Sequence, residues 1–167
     1  MMSVSVPSLG ENEQICIFLE RGTLITKYYL KKRPEKKCLS LRRETRQILI
    51  NPISATSTST SNASRNNYEF ALELREVKEI RFGKNSKDFD KWDESKKVDY
   101  QKCFVITYGS EFKLKTFSVV AHSEKECEMW IKGLKYMVND TISSPYPLAT
   151  ERWLRKEFYA MENTNKA

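Results

Sequence analysis

The 167-residue sequence holds one histidine, four cysteines, five glycines and five prolines, and each scarcity narrows what the chain does. With His122 as the single imidazole, little material exists for a hydrolytic active site or a metal centre. The cysteines, Cys16, Cys38, Cys103 and Cys127, never fall in a C-x-x-C spacing. They read as reduced, half-buried thiols of a cytosolic protein rather than as zinc ligands. Few glycines and prolines beside 40% hydrophobic residues exclude collagen-like structure and wholesale disorder. The longest apolar run, Ile15-Cys16-Ile17-Phe18-Leu19, is far short of the roughly 20 residues a membrane span needs. Met1 to Ser5 carries no basic segment and no apolar segment follows it, so a secretory signal is not expected. Without a secretory route, the triplets Asn62-Ala63-Ser64 and Asn139-Asp140-Thr141 are not modification sites.

What is present is positive charge, in one place. The net charge is +7. Between Lys27 and Arg46 lie nine basic residues, namely Lys27, Lys31, Lys32, Arg33, Lys36, Lys37, Arg42, Arg43 and Arg46, opposed only by Glu35 and Glu44. That stretch accounts for the whole excess. One positive patch on a neutral body points to an anionic partner: a phospholipid headgroup, a nucleic acid or an acidic protein. A solvated hairpin tip is the plain alternative.

Around that patch the sequence reads as antiparallel strands. Residues 1–10 read as frayed. Ile15, Phe18 and Leu19 then mark a short helix from Glu11 to Glu20, stopped near Gly22. Thr23–Tyr29 is β-branched and aromatic; Lys31–Lys37 is a charged turn broken by Pro34. Cys38–Arg42 and Arg46–Ile50 alternate with period two. The Ser/Thr/Asn tract at 52–67 is expected to be a loop. Alternation resumes at Phe70–Leu74, extends through Val77 and Ile80 towards Gly83, and gives way to a long polar loop from Lys84 to Lys102. Cys103–Tyr108 and Phe112–Val119 form a last hairpin, with an apolar phase slip between Leu114 and Phe117 that predicts a bulge or corner.

Helices close the chain. Ser123 and Glu126 have capping-box spacing. Cys127, Trp130, Ile131, Leu134, Met137 and Val138 then share one face of a helix from Glu124 to about Asp140. Strands followed by one amphipathic helix predict a mainly β fold, a bent antiparallel barrel of about seven strands. The helix plugs one end, with Trp130 as its largest core body. After a linker at 143–149, Trp153, Leu154 and Phe158 mark one face of a second helix from Thr150 to Met161.

Several strings carry a family resemblance. They are Glu44-Thr45-Arg46-Gln47-Ile48; Arg75 to Arg81 followed by Gly83 to Phe89; Cys103-Phe104-Val105-Ile106 with Tyr108-Gly109; Trp130-Ile131 with Gly133-Leu134; and Trp153-Leu154-Arg155-Lys156. In this order, from about Gly22 to Tyr159, the chain resembles the N-terminal pleckstrin-homology (PH) domain of gamma-type phosphoinositide-specific phospholipases C. The Ser/Thr tract departs from the pattern, being longer than the family's loop. The resemblance implies a PH domain at 21–142 after a tail and short helix at 1–20, with residues 150–167 beginning an EF-hand-like region too short to finish a calcium loop. It implies no cofactor in this chain; calcium belongs to the catalytic domain of the parent enzymes, which hydrolyse phosphatidylinositol 4,5-bisphosphate. It also implies a cytoplasmic protein recruited peripherally to the plasma membrane.

The same resemblance makes Lys27, Lys31, Lys32, Arg33, Lys36, Lys37 and Arg46 the candidate phosphoinositide ligands. Phosphorylated inositol needs several charge-assisted donors converging on separate phosphates. The family's pattern has a first-strand Lys, then a basic-x-Arg pair. Lys27 fits the first position, but Glu35-Lys36-Lys37 puts an acid and a lysine in the pair. Lysine lacks the bidentate fork, so electrostatic, multi-lipid recognition is expected. Three other classes stay open: an enzyme, for which only His122 is on hand; a protein-interaction or autoregulatory scaffold, packing against sibling domains; and nucleic-acid binding, weakened by the lack of aromatics among the basic residues beyond Tyr28 and Tyr29.

Overall fold

The structure, a computed structural model, describes residues 6–53, 68–110, 112–143 and 146–166. Seven antiparallel strands, β1 (Thr23–Tyr28), β2 (Glu35–Arg42), β3 (Gln47–Pro52), β4 (Phe70–Glu73), β5 (Val77–Phe82), β6 (Cys103–Ser110) and β7 (Lys113–Ala121), form one sheet in the order β4-β3-β2-β1-β7-β6-β5. Its two edges, β4 and β5, are consecutive in the chain. Only the 3-10 turn Leu74–Glu76 separates them, so the sheet bends until its edges nearly meet. Every strand then sends its inward residues into one core: Ile25, Leu39, Ile48, Leu72, Val77, Ile106 and Phe117 among them. Period-two alternation on a curled sheet requires this. The run predicted as continuous from Phe70 towards Gly83 is therefore two strands and a corner. Leu74, fully buried, donates its N–H to the Arg46 carbonyl at 3.0 Å and fixes the bend.

Two helices cover one end. α1 runs Val6–Arg21, longer than the predicted Glu11–Glu20. Gly22, with φ +91°, ends it by donating to the Leu19 carbonyl, a conformation that glycine adopts without strain. A four-residue turn of helix, α2 (Lys87–Asp90), lies in the long 84–102 connection. α3 (Glu124–Ser143) carries the predicted apolar stripe. Trp130 is fully buried, its indole N–H donating to Thr23 Oγ1 at 2.9 Å and its ring stacked near Phe104. Half of the expected capping box is present. Ser123 Oγ accepts from the Glu126 N–H, while Glu126 Oε1 is buried without a hydrogen-bond partner. α1 lies across α3 at Gly133, where an added Cβ would stand 2.5 Å from Leu19 Cδ1 and 3.0 Å from Ile15 Cγ2. The N-terminal helix is thus part of the core rather than an appendage.

The expected bulge between Leu114 and Phe117 is absent; β7 pairs with β6 in continuous register. The phase slip arises because Leu114 lies on the outer face, 56% exposed, while Phe117, Val119 and Ala121 alternate inward. The irregularity falls instead in β5, between Val77 and Glu79. α4 (Tyr146–Lys166) begins earlier and ends later than predicted, leaving little of the expected linker. It returns to the sheet through polar contacts. Tyr159 donates to Glu44 at 2.7 Å, Arg155 reaches the same carboxylate at 3.3 Å, and Lys156 meets Glu73 at 3.0 Å.

Candidate functional site

Strand register brings three turns to the end of the barrel away from α3. Lys27 stands opposite Glu35, so the β1–β2 tip is there. Lys37 stands opposite Pro52, so β3 leaves at the same end. Tyr28 stands opposite Ser118, and β7 begins beyond it at Lys113. This mouth holds a cavity of about 290 Å³ lined by Lys27, Tyr29, Ile50, Glu69, Phe70 and Tyr108. Phe70 stacks on Phe117 at 6.0 Å and makes an apolar floor.

Lys27 points inward because it shares the parity of Ile25. Its ammonium lies 3.9 Å from the centre of the Tyr29 ring and 4.7 Å from that of Phe117, a cation–π seat. Burial pulls its pKa down to about 8; the field of Asp88 opposes that shift and nearby Lys32 adds to it. Lys32 caps the same Tyr29 ring at 4.5 Å. Glu35 Oε1 stands 3.3 Å from both Lys32 Nζ and Lys37 Nζ. Lys37 also meets Glu69 at 2.8 Å, and that hydrogen bond, working against desolvation, raises its pKa. Through two shared partners, Tyr29 and Glu35, the three lysines form one cluster.

The other sequence-selected residues divide. Lys31 and Lys36 are exposed at the hairpin. Lys36 and Lys37 lie in β2 rather than in the predicted turn, since β2 starts at Glu35. Arg33 leans outward, bonded to Glu94 at 2.7 Å and over the Trp92 ring; the Trp92 indole donates to the Tyr29 carbonyl at 2.6 Å. The 84–102 connection thereby braces the hairpin tip. Arg46 is not brought to the mouth. It sits in the β2–β3 turn with φ +57° and donates to Asp140 at 2.7 Å beside α3. Arg43 is tied to Glu13 and Glu20. A larger cleft of about 740 Å³ opens at that far end, where Arg43 pairs with Glu20, and Arg155 with Glu44 and Glu151.

Sequence reasoning missed two groups. Glu69, just before β4, brings an acid among the lysines; only pairing across β3–β4, with its N–H on the Ile50 carbonyl at 2.8 Å, places it there. Lys113 and Lys115 share the face of β7 that carries Phe117, and Lys115 stands opposite Tyr108 at the mouth. Strict alternation counted back from Phe117 predicts that placement. The Ser/Thr tract at 54–67 lies outside the described residues.

Comparison with known proteins agrees with this geometry. The family model described as "Pleckstrin homology domain" matches residues 12–139. The chain belongs to that family. Over 98% of its length the PH-domain chain is 35% identical to human 1-phosphatidylinositol 4,5-bisphosphate phosphodiesterase gamma-2. It is 29% identical over 86% of its length to the gamma enzyme plc-3 of Caenorhabditis elegans. The chain spans 12% and 11% of the lengths of these two relatives. Among solved structures, S. officinalis PLC21 superposes with a TM-score of 0.55 at 17% identity, covering 75% of this chain and 16% of that one. The PH domain from TgAPH gives 0.55 at 11% identity, over 81% and 95%. Both likenesses show the PH fold. The match beginning at residue 12 takes in the part of α1 that contributes Ile15 and Leu19 to the core.

Proposed function

We propose that this PH domain is a membrane-targeting module of a gamma-type phosphoinositide phospholipase C and receives phosphorylated inositol headgroups at the mouth of its barrel. The parent enzyme, by similarity to its relatives, acts on phosphatidylinositol 4,5-bisphosphate, and the module works in the cytoplasm at the plasma membrane. α4 is the entering helix of the EF-hand-like region that follows. One observation carries the reading: Lys27, Lys32 and Lys37 converge on shared partners beside a cavity. Converging ammonium groups are what separate phosphates require, and each basic residue near an anionic leaflet adds about 1 kcal/mol. Because lysines rather than arginines supply the charge, attraction is reversible and salt-sensitive. Vesicle flotation tests it. Phosphatidylcholine vesicles with phosphatidylinositol 4,5-bisphosphate are expected to retain the domain, and plain phosphatidylcholine vesicles are not; equal retention on both sinks the reading.

A second reading has one observation in its favour. Glu35 and Glu69 already occupy Lys32 and Lys37, as in an interaction or autoregulatory surface with no specific lipid. Unchanged binding to sibling domains after reversal of Lys32, Lys36 and Lys37, together with lost flotation, decides for lipid.

A further inference from the structure

The hairpin between β6 and β7 has an unusual tip. Phe112 is 95% exposed and Leu114 56% exposed, whereas large apolar side chains on strands ordinarily turn inward. Leu114 stands on the outer face of β7 and Phe112 in the turn before it, while Lys113 and Lys115 share the inward parity of Phe117. Leu30, 46% exposed, ends the neighbouring β1–β2 hairpin at the same end of the barrel. Among the described residues, none of Lys31, Lys36, Lys113 and Lys115 forms an ion pair.

We propose that this hairpin is a membrane wedge: Phe112 and Leu114 enter the acyl region of an anionic bilayer while Lys113 and Lys115 remain at headgroup level. The inference rests on the lipid reading above and adds a hydrocarbon contact to it. Charge complementarity selects the occupant. A protein partner's interface core is depleted in lysine, whereas lysines interleaved with exposed apolar residues suit an interface where stems lie in hydrocarbon and ammonium groups meet phosphate.

The test uses the double variant Phe112→Ser/Leu114→Ser in the whole 167-residue chain, with thermal unfolding to establish that it folds. Both side chains are exposed, so the melting temperature is expected to be unchanged. Two ligands are compared: vesicles of phosphatidylcholine, phosphatidylserine and phosphatidylinositol 4,5-bisphosphate, and soluble inositol 1,4,5-trisphosphate. Expected is a loss of about 100- to 10,000-fold in vesicle affinity, the size of removing two buried apolar side chains, with affinity for the soluble headgroup unchanged. Equal vesicle affinity of parent and variant overturns the wedge and leaves the headgroup site standing. No binding of the parent to either ligand overturns both. As a second readout, Phe112→Trp is expected to show quenching by brominated acyl chains beyond that of the parent tryptophans; an equal signal overturns the wedge.

Discussion

Lys27 is the residue on which charge, burial and the proposed binding meet. Its folded pKa of about 8 lies below the ordinary 10.5, so the folded state disfavours the charged form. The unfolded chain therefore holds more protons between those values, and stability rises as pH climbs through that window. Below pH 8 the full cost is present. Lys27→Met is accordingly expected to stabilise the domain at pH 7 by about 1 kcal/mol, read by urea denaturation, and to weaken headgroup binding about tenfold. A bound phosphate restores the lysine's charge. Affinity for inositol trisphosphate should fall as pH passes about 8, with proton uptake seen by calorimetry in two buffers and missing from the variant. Glu69 acts in the opposite sense. Glu69→Gln releases Lys37, and vesicle affinity is expected to rise about two- to fivefold; a fall would mean that the pair positions Lys37 rather than competing for it. Of this chemistry, Lys27, Lys32 and Lys37 were legible as a local excess of one sign. Glu69 was not, because its neighbourhood in space comes from a strand pair bridging a long loop. Arg46 looked like a member of the patch in sequence, yet a turn at the opposite end of β2 separates it from the mouth.

At the scale of elements, the capping by α1 was the harder part to read. Ile15, Phe18 and Leu19 announce a helix, but nothing local says that they meet α3. The contact depends on Gly133, which by helix propensity alone is a weak choice. Its use is to let Leu19 and Ile15 approach the α3 backbone. Gly133→Val should cost about 2 kcal/mol despite the better propensity of most residues there, measured as a lowered urea midpoint; no loss would mean that the helices part at little cost. α3 itself was plain, since its period of 3.6 runs unbroken through Trp130, Leu134 and Met137. α4 is held differently, by exposed and half-exposed ion pairs worth about 0–1 kcal/mol each. Glu44→Ala removes the acceptor of both Tyr159 and Arg155. Faster proteolysis within α4, with the barrel intact, is the expected result.

Over the whole molecule, the order of strands then helix was enough to foresee the architecture, and alternation together with β-branched and aromatic composition located six of the seven strands. The corner between β4 and β5 was hidden because Leu74 and Val77 are both apolar and both buried; only the bend explains why neither phase fits a straight strand. That corner has a further effect. A sheet's outer strands invite lateral addition by another chain. Here one outer strand, β4, is four residues long. The other, β5, is interrupted by its irregularity and studded with Lys78, Glu79 and Arg81. Short, kinked and charged borders are poor templates for polymer growth, so the barrel carries in its own closure a guard against self-aggregation.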